Sequence, residues 1–279
     1  MAGGKYKLMC IDVDGTLMDS NKDLPEINRK AIREAHSHGI KIAVASGRSP
    51  SSVQELIDTM GIQGYAICLN GAYTYIDDHK QKQVISRYAL NKNQVNKVAS
   101  VIDKYNARVF FSTSTSNITN KSVTDTQVTK IQKSVAGHRR LIVCNQREKL
   151  AEELATHSGS ILKASIMEPD EKKYYKIRLE LEAAQLFNVA QSDLNYIDVN
   201  RRGVNKAIGV SDLANHLNID LSCVICVGDN ENDIQMIKSA GMGVAMANAC
   251  HELLKVSDAV TLSNDECGVA KVIYDYVLA

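Results

Sequence analysis

An apolar run over residues 6–11 ends in Asp12-Val13-Asp14-Gly15-Thr16-Leu17. A short continuous apolar run reads as a buried strand, and here two carboxylates stand at its C-terminal tip. Side chains two apart on a strand face the same way. Asp12 and Asp14 are therefore expected to converge, repel and raise each other's pKa unless a cation or a donor lies between them. The pattern suits a hard divalent metal and phosphoryl transfer, and the rest of the chain has to supply the remaining parts.

The order of elements predicts where those parts lie. Residues 25–39 read as a helix, with Pro25 in its first turn, an apolar stripe of Ile27, Ala31, Ile32 and Ala35, and Gly39 as its stop. A buried strand over 40–45 ends in Ser46-Gly47-Arg48. A helix over 51–60 and a strand over 65–69, ending in Asn70-Gly71, follow. Strand and helix alternating through short connections predict right-handed βαβ units and a parallel sheet. The rhythm then changes. A hairpin is expected from 73–76 and 84–88 around a polar tip at 77–82. Helices are expected at 93–105, 147–157 and 171–184, the last with a strand alternative, and strands at 108–112, 141–144, 161–167 and 195–199. Residues 112–126, rich in Ser and Thr, read as loop. From Gly203 the first rhythm resumes. A helix at 204–217 and an apolar strand at 222–227 lead to Gly228-Asp229-Asn230-Glu231-Asn232-Asp233, and a helix at 268–278 closes the chain. The expected fold is α/β, a Rossmann-like parallel-sheet core at 1–82 and 196–279 with an α/β insert at 83–195.

Composition excludes several function classes. The net charge of +1 over 279 residues carries no basic surplus for nucleic acid. Aromatic residues are 5% and Trp is absent, which argues against stacking platforms for single strands. No apolar run approaches the roughly 18 residues of a membrane span, and residues 1–5 lack a signal-peptide apolar stretch, so a cytoplasmic protein is expected. Cys10, Cys68, Cys223 and Cys226 sit in or beside apolar runs and read as small hydrophobes. The seven histidines show no HExxH-like spacing, so no zinc site is expected.

In an open parallel sheet, ligands bind beyond the carboxyl ends of the strands. Asp12 and Asp14, Ser46-Gly47, and Asp229 with Asn232 and Asp233 fall there, with Lys206 near a helix start. Each has a plainer reading alone: a capping turn for Ser-Gly, a solvated side chain for Lys, an Asx-turn for Gly-Asp-x-x-Asn-Asp. Together they meet the needs of phosphate transfer to a carboxylate. Asp12 can attack, Asp229 can share a cation with it, backbone N–H groups and the Ser46 hydroxyl can hold phosphate, and Lys206 can neutralise residual charge.

Asp12-x-Asp14-Gly15-Thr16, Ser46-Gly47-Arg48, Lys206 and Gly228-Asp229-x-x-Asn232-Asp233, in that order, resemble the four motifs of the haloacid dehalogenase-like phosphatases. Asn70-Gly71, Gly203-Val204-Asn205-Lys206, Ser263-Asn264-Asp265 and Gly268-Val269-Ala270 are similar to the Cof-type branch, which carries a type IIB cap. The resemblance spans the core and is weak across the insert. It implies Asp12 as the nucleophile and Asp14 as the proton carrier. It implies Mg²⁺ held by Asp12, the Asp14 carbonyl and Asp229. Phosphate would be held by the Val13 and Gly47 N–H groups and by Ser46, Lys206 and Asn232. Thr16 would steady Asp14, and Asp233 would orient Lys206 or a metal-bound water. Ala207 and Cys267 replace a frequent Gly and a frequent Asp without touching the reacting groups.

The expected activity is Mg²⁺-dependent hydrolysis of a small phosphorylated metabolite, with sugar phosphates the leading class. The expected molecule is a monomer or homodimer with neither nucleic acid nor membrane as partner. A phosphosugar mutase and a non-catalytic metabolite-binding protein are the competing readings. The second of these sits poorly with the presence of Asp12, Asp14 and Lys206 together.

Overall fold

The structure, a computed structural model, describes residues 5–77, 82–122 and 140–279. Residues 78–81 of the expected hairpin tip, residues 123–126 of the expected loop, residues 1–4, His79 and His138 lie outside the described residues.

The first part of the chain runs β1 (Leu8–Ile11), α1 (Glu26–Ser37), β2 (Lys41–Ala45), α2 (Pro50–Met60), β3 (Tyr65–Cys68), β4 (Tyr73–Asp77) and β5 (Lys82–Arg87). The insert contributes α3 (Lys92–Tyr105), β6 (Arg108–Ser112), β7 (Ser116–Thr119), β8 (Arg140–Val143), α4 (Arg147–Thr156), β9 (Lys163–Met167), α5 (Glu171–Ala183), β10 (Phe187–Asp193) and β11 (Tyr196–Arg201). The chain then returns through α6 (Lys206–His216), β12 (Val224–Gly228), α7 (Ile234–Ser239), β13 (Met242–Ala245), α8 (His251–Leu254), β14 (Ala259–Val260) and α9 (Gly268–Val272).

Among the described residues the strands form two sheets. One has the order β14-β13-β12-β1-β2-β3-β4-β5 and is parallel from β14 to β3, with β4 and β5 added antiparallel. Its central strands are apolar without alternation because both faces are covered. Met9, Ile11, Ile42 and Val44 pack with Ile32 and Ile273 on one face. Leu8, Cys10, Ala43 and Ala45 pack with Val210, Leu213 and Ile237 on the other. Parallel pairing in register brings the carboxyl ends of β1, β2, β3 and β12 to one edge, where the predicted polar groups lie.

The second sheet, β10-β11-β9-β6-β7-β8, alternates instead. Ala164, Ile166, Ile197 and Val199 bury in one cluster with Val98, Ile102, Ile177 and Leu181 of α3 and α5. The intervening Lys163, Ser165, Asp198 and Asn200 therefore face the other way, toward the first sheet.

Two expectations are corrected here. The divisions at 82/83 and 195/196 do not follow the sheets, since β5 extends the first sheet and β11 pairs with β9 and β10 in the second. The apolar set of β11 is completed only by the α3 and α5 cluster, which holds it there. Residues 116–119, expected as loop, form β7 between β6 and β8. Pairing on both sides outweighs the turn preference of Ser and Asn, and Ile and Thr suit the strand.

Candidate active site

Strand β1 ends at Ile11, so strand alternation does not reach Asp12 and Asp14. The chain turns at Val13, whose carbonyl accepts from the Leu17 N–H at 3.1 Å and the Met18 N–H at 3.0 Å. The two carboxylates consequently take different partners, and their expected convergence is not observed. Asp12 Oδ1 accepts from Lys206 Nζ at 2.5 Å. Asp14 is gripped by Arg48, through Nε and Nη2 at 2.8 Å each, and by Lys22 Nζ at 2.9 Å. Burial alone would raise the Asp14 pKa, but these cations overcome it and hold the carboxyl at about 2.

Lys206 is the first residue of α6 and is 0% exposed. A cation there meets the positive end of the helix dipole and loses all its hydration. Two carboxylates offset both costs, Asp12 on one side and Asp233 Oδ1 at 2.6 Å on the other. Burial would lower the Lys206 pKa, yet the pair of acids raises it. The Asn205 side chain caps the same helix by accepting from the Ile208 N–H at 3.2 Å. The ammonium is thus fixed by backbone and charge together.

Asp229 stands just beyond β12. Its Oδ1 accepts from Thr16 Oγ1 at 2.7 Å, so Thr16 steadies Asp229 rather than Asp14. Gly15 lies against the same carboxylate. Its φ is +81°, and a Cβ there would run into the Asp229 carboxylate, so glycine is required on both counts. Among the described residues, Asp12, Asp229 and Asp233 each offer an oxygen within 4.8 Å of the others. Three carboxylates thus lie together, and the one ammonium bonds two of them, Asp12 and Asp233. Burial, then Asp233, push Asp12 well above the usual carboxylate range against the pull of Lys206. The same two causes push Asp229 up to about 6. An all-oxygen, charge-rich set of this kind fits a hard divalent cation. Asp233 is already engaged, with Lys206 on Oδ1 and the Asp229 and Asn230 N–H groups on Oδ2 at 3.2 and 3.1 Å.

The remaining predicted residues line the same edge. Ser46 is buried, and its hydroxyl accepts from the Arg48 N–H at 3.1 Å. Asn232 Nδ2 donates to Asn70 Oδ1 at 3.2 Å. The segment at 263–265 braces the turn after Asp14: Asn264 Nδ2 donates to the Met18 carbonyl, and the Asp265 carboxylate accepts from the Ser20 N–H and hydroxyl.

Sequence reasoning missed the groups that the insert brings to this edge. Lys163 Nζ donates to the Gly47 carbonyl and to Asp198 Oδ2, both at 2.8 Å. Asp198 also accepts from Asn70 Nδ2 at 2.8 Å and Ser165 Oγ at 2.6 Å. Burial would raise the Asp198 pKa, but Lys163 and these hydrogen bonds bring it below the usual range. The available signal was a charged residue among apolar neighbours in each of two strand segments, Lys163 after Ile161-Leu162 and Asp198 between Ile197 and Val199, where an unpaired charge is too costly to keep.

Among the described residues no helix is long and apolar enough to cross a membrane. A family model described as haloacid dehalogenase-like hydrolase matches residues 9–273. The chain is 28% identical over 272 residues to the 5-amino-6-(5-phospho-D-ribitylamino)uracil phosphatase YcsE of Bacillus subtilis, covering 98% of this chain and 96% of that one. It resembles the solved structure of a haloacid dehalogenase-like hydrolase from B. subtilis with a TM-score of 0.85 at 25% identity, over 97% of this chain and 99% of that one. It shares its fold with the subclass IIB sugar phosphatase BT4131, with a TM-score of 0.81 at 22% identity over 98% of this chain and 100% of that one. The two-sheet architecture, the motif order and the match across the chain agree: the protein belongs to the haloacid dehalogenase-like hydrolases and carries an inserted α/β cap.

Proposed function

We propose that this hydrolase is a Mg²⁺-dependent phosphatase acting on a small phosphate monoester, of a sugar or a sugar-alcohol derivative, through an aspartyl-phosphate intermediate. The cap comprises the insert from the end of β5 to the turn before Lys206. The observation that carries the reading is the Asp12 carboxylate, held between a buried ammonium and two further acids at the carboxyl edge of a parallel sheet.

Asp12 attacks phosphorus, and the bond to the leaving oxygen breaks as Asp14 gives that oxygen a proton. Asp14 then takes a proton from water, which attacks the aspartyl phosphate, releases inorganic phosphate and restores Asp12. Asp14 paired with Arg48 and Lys22 is ionised, the form that accepts a proton from water. To donate, Asp14 leaves the Arg48 fork and takes up a proton from solvent before the first step, and the attacking water later restores that proton. Ser46, Lys206, Asn232 and the Val13 and Gly47 N–H groups bind the phosphoryl oxygens. Asp12, Asp229 and the Asp14 carbonyl are the ligands for Mg²⁺, which neutralises phosphoryl charge when bound.

The substrate class draws on the phosphorylated ribityl compound in the name of the B. subtilis relative. It also draws on the polar face of the cap sheet, where hydroxyl-rich leaving groups find hydrogen-bond partners. The test is a phosphate-release screen over sugar phosphates, phosphorylated sugar alcohols, nucleotides and pyridoxal phosphate, with and without Mg²⁺. Metal-dependent release from sugar or sugar-alcohol esters is expected. Isomerised sugar phosphate with little net release would instead mark a mutase.

A further inference from the structure

Four neighbouring side chains in the turn after β12 have four different partners. Asp229 is held by Thr16, Asn232 reaches Asn70, and Asp233 holds Lys206. Glu231 has no part in that chemistry and turns to the cap. Its Oε2 accepts from Arg178 Nη1 at 2.9 Å, and its Oε1 from Arg178 Nη2 at 2.5 Å. The Gln191 N–H adds a third bond to Oε2 at 3.1 Å. Arg178 lies on α5 and is held in place by Glu182, four residues on, at 2.8 Å. Gln191 lies on β10, an edge strand, so its outward N–H is filled by Glu231 instead of being left open.

Two parallel N–H···O bonds fix both distance and angle between guanidinium and carboxylate. The Glu231 backbone cannot move far without moving Asp229 and Asp233. Its N–H is bound by the Asn230 side chain at 2.8 Å, and the Asn230 N–H is bound by Asp233. A cap that shifts must therefore open the fork or drag the turn with it. The two side chains keep 21% and 31% of their exposure, so water reaches the fork and it can open.

We infer that Glu231 and Arg178 are positioning residues that couple the placement of the cap to the cation site on the Asp229–Asp233 turn. The inference rests on the reading of that site as a Mg²⁺ site. Coupling between two binding or conformational equilibria is reciprocal. A cap seated through Arg178 favours the turn geometry that binds Mg²⁺, and a bound cation favours the seated cap. The side chains themselves touch neither cation nor substrate.

The test is Mg²⁺ affinity of the full chain without substrate, by calorimetric titration, for the wild type, Glu231→Gln, Arg178→Met and Arg178→Lys. Glu231→Gln and Arg178→Met are expected to weaken Mg²⁺ binding about tenfold, as loss of groups that orient metal ligands does. Arg178→Lys, which keeps the charge and loses the fork, is expected to recover part of the loss. Thermal midpoints should stay close to that of the wild type, which a merely structural role would not predict together with weakened binding. Should Arg178→Met fail to fold, the nearly isosteric Glu231→Gln carries the test. Wild-type Mg²⁺ affinity in the folded variants overturns the coupling alone. A wild-type chain that binds no Mg²⁺ overturns the reading of the site as well.

Discussion

Lys206 illustrates how one residue can be dictated by its surroundings. Its ammonium is buried at the unfavourable end of a helix and is balanced by Asp12 and Asp233. Replacing it with a same-length apolar side chain leaves two acids facing one another. Lys206→Met is expected to lower kcat by about 10²–10³-fold, as removal of a preorganised donor does. Steady-state kinetics at saturating Mg²⁺ check this, and a kcat near that of the wild type would exclude Lys206 from the reaction. Asp198 makes the corresponding case for pH. Its pKa is lowered in the folded state, so its contribution to stability is complete above the unfolded value of about 3.9 and is lost as pH falls through the folded value. Asp198→Asn leaves Lys163 buried without its counter-charge and should cost about 3–5 kcal/mol near neutrality. The same variant should flatten the fall in unfolding free energy below about pH 4. Denaturant titrations across pH measure both, and an unchanged acid limb would contradict the pairing.

Helix α3 shows how a local sequence signal and a tertiary contact combine. Asn91 and Gln94 form a reciprocal capping box, with each backbone N–H bound by the other's side chain at 2.9 Å. The Gln94 amide also donates to the Leu186 carbonyl at 2.7 Å, fastening α3 to the segment before β10. Asn91→Ala is expected to destabilise the chain by about 1 kcal/mol, read as a lowered midpoint in chemical denaturation. Activity measured well below that midpoint should be retained. Signals of this kind explain which elements were legible. The parallel strands of the core declare themselves as apolar runs ending in polar residues, because both their faces are covered. The helix over 171–184 was also visible from propensity, in spite of its Tyr174-Tyr175 pair. Strands β7 and β10 were not visible, because Ser-Asn-Ile-Thr and Phe-Asn-Val-Ala-Gln-Ser-Asp owe their strand state to neighbours distant in sequence. The strand spacing that predicts convergence of Asp12 and Asp14 misleads for a related reason. The strand stops one residue before the first of them.

The whole molecule joins residues from three distant stretches at one sheet edge. Asp12 comes from the turn after the first strand, Lys206 from the helix that follows the insert, and Asp229 and Asp233 from the turn after β12. Short motifs made these legible, since each combines a charged group with a strand or helix end. The groups from the insert were not legible, because Lys163, Asp198 and Arg178 acquire meaning only when the cap sheet is folded against the core. The claim on which the rest depends is that Asp12 becomes phosphorylated. Incubating the protein with a radiolabelled phosphate ester and Mg²⁺, quenching in acid and mapping the label to a peptide tests it. We expect a hydroxylamine-labile label on the peptide that contains Asp12, and neither label nor phosphate release in a folded Asp12→Asn variant. Mg²⁺-dependent phosphate release that survives Asp12→Asn, or label found on another residue, would contradict it.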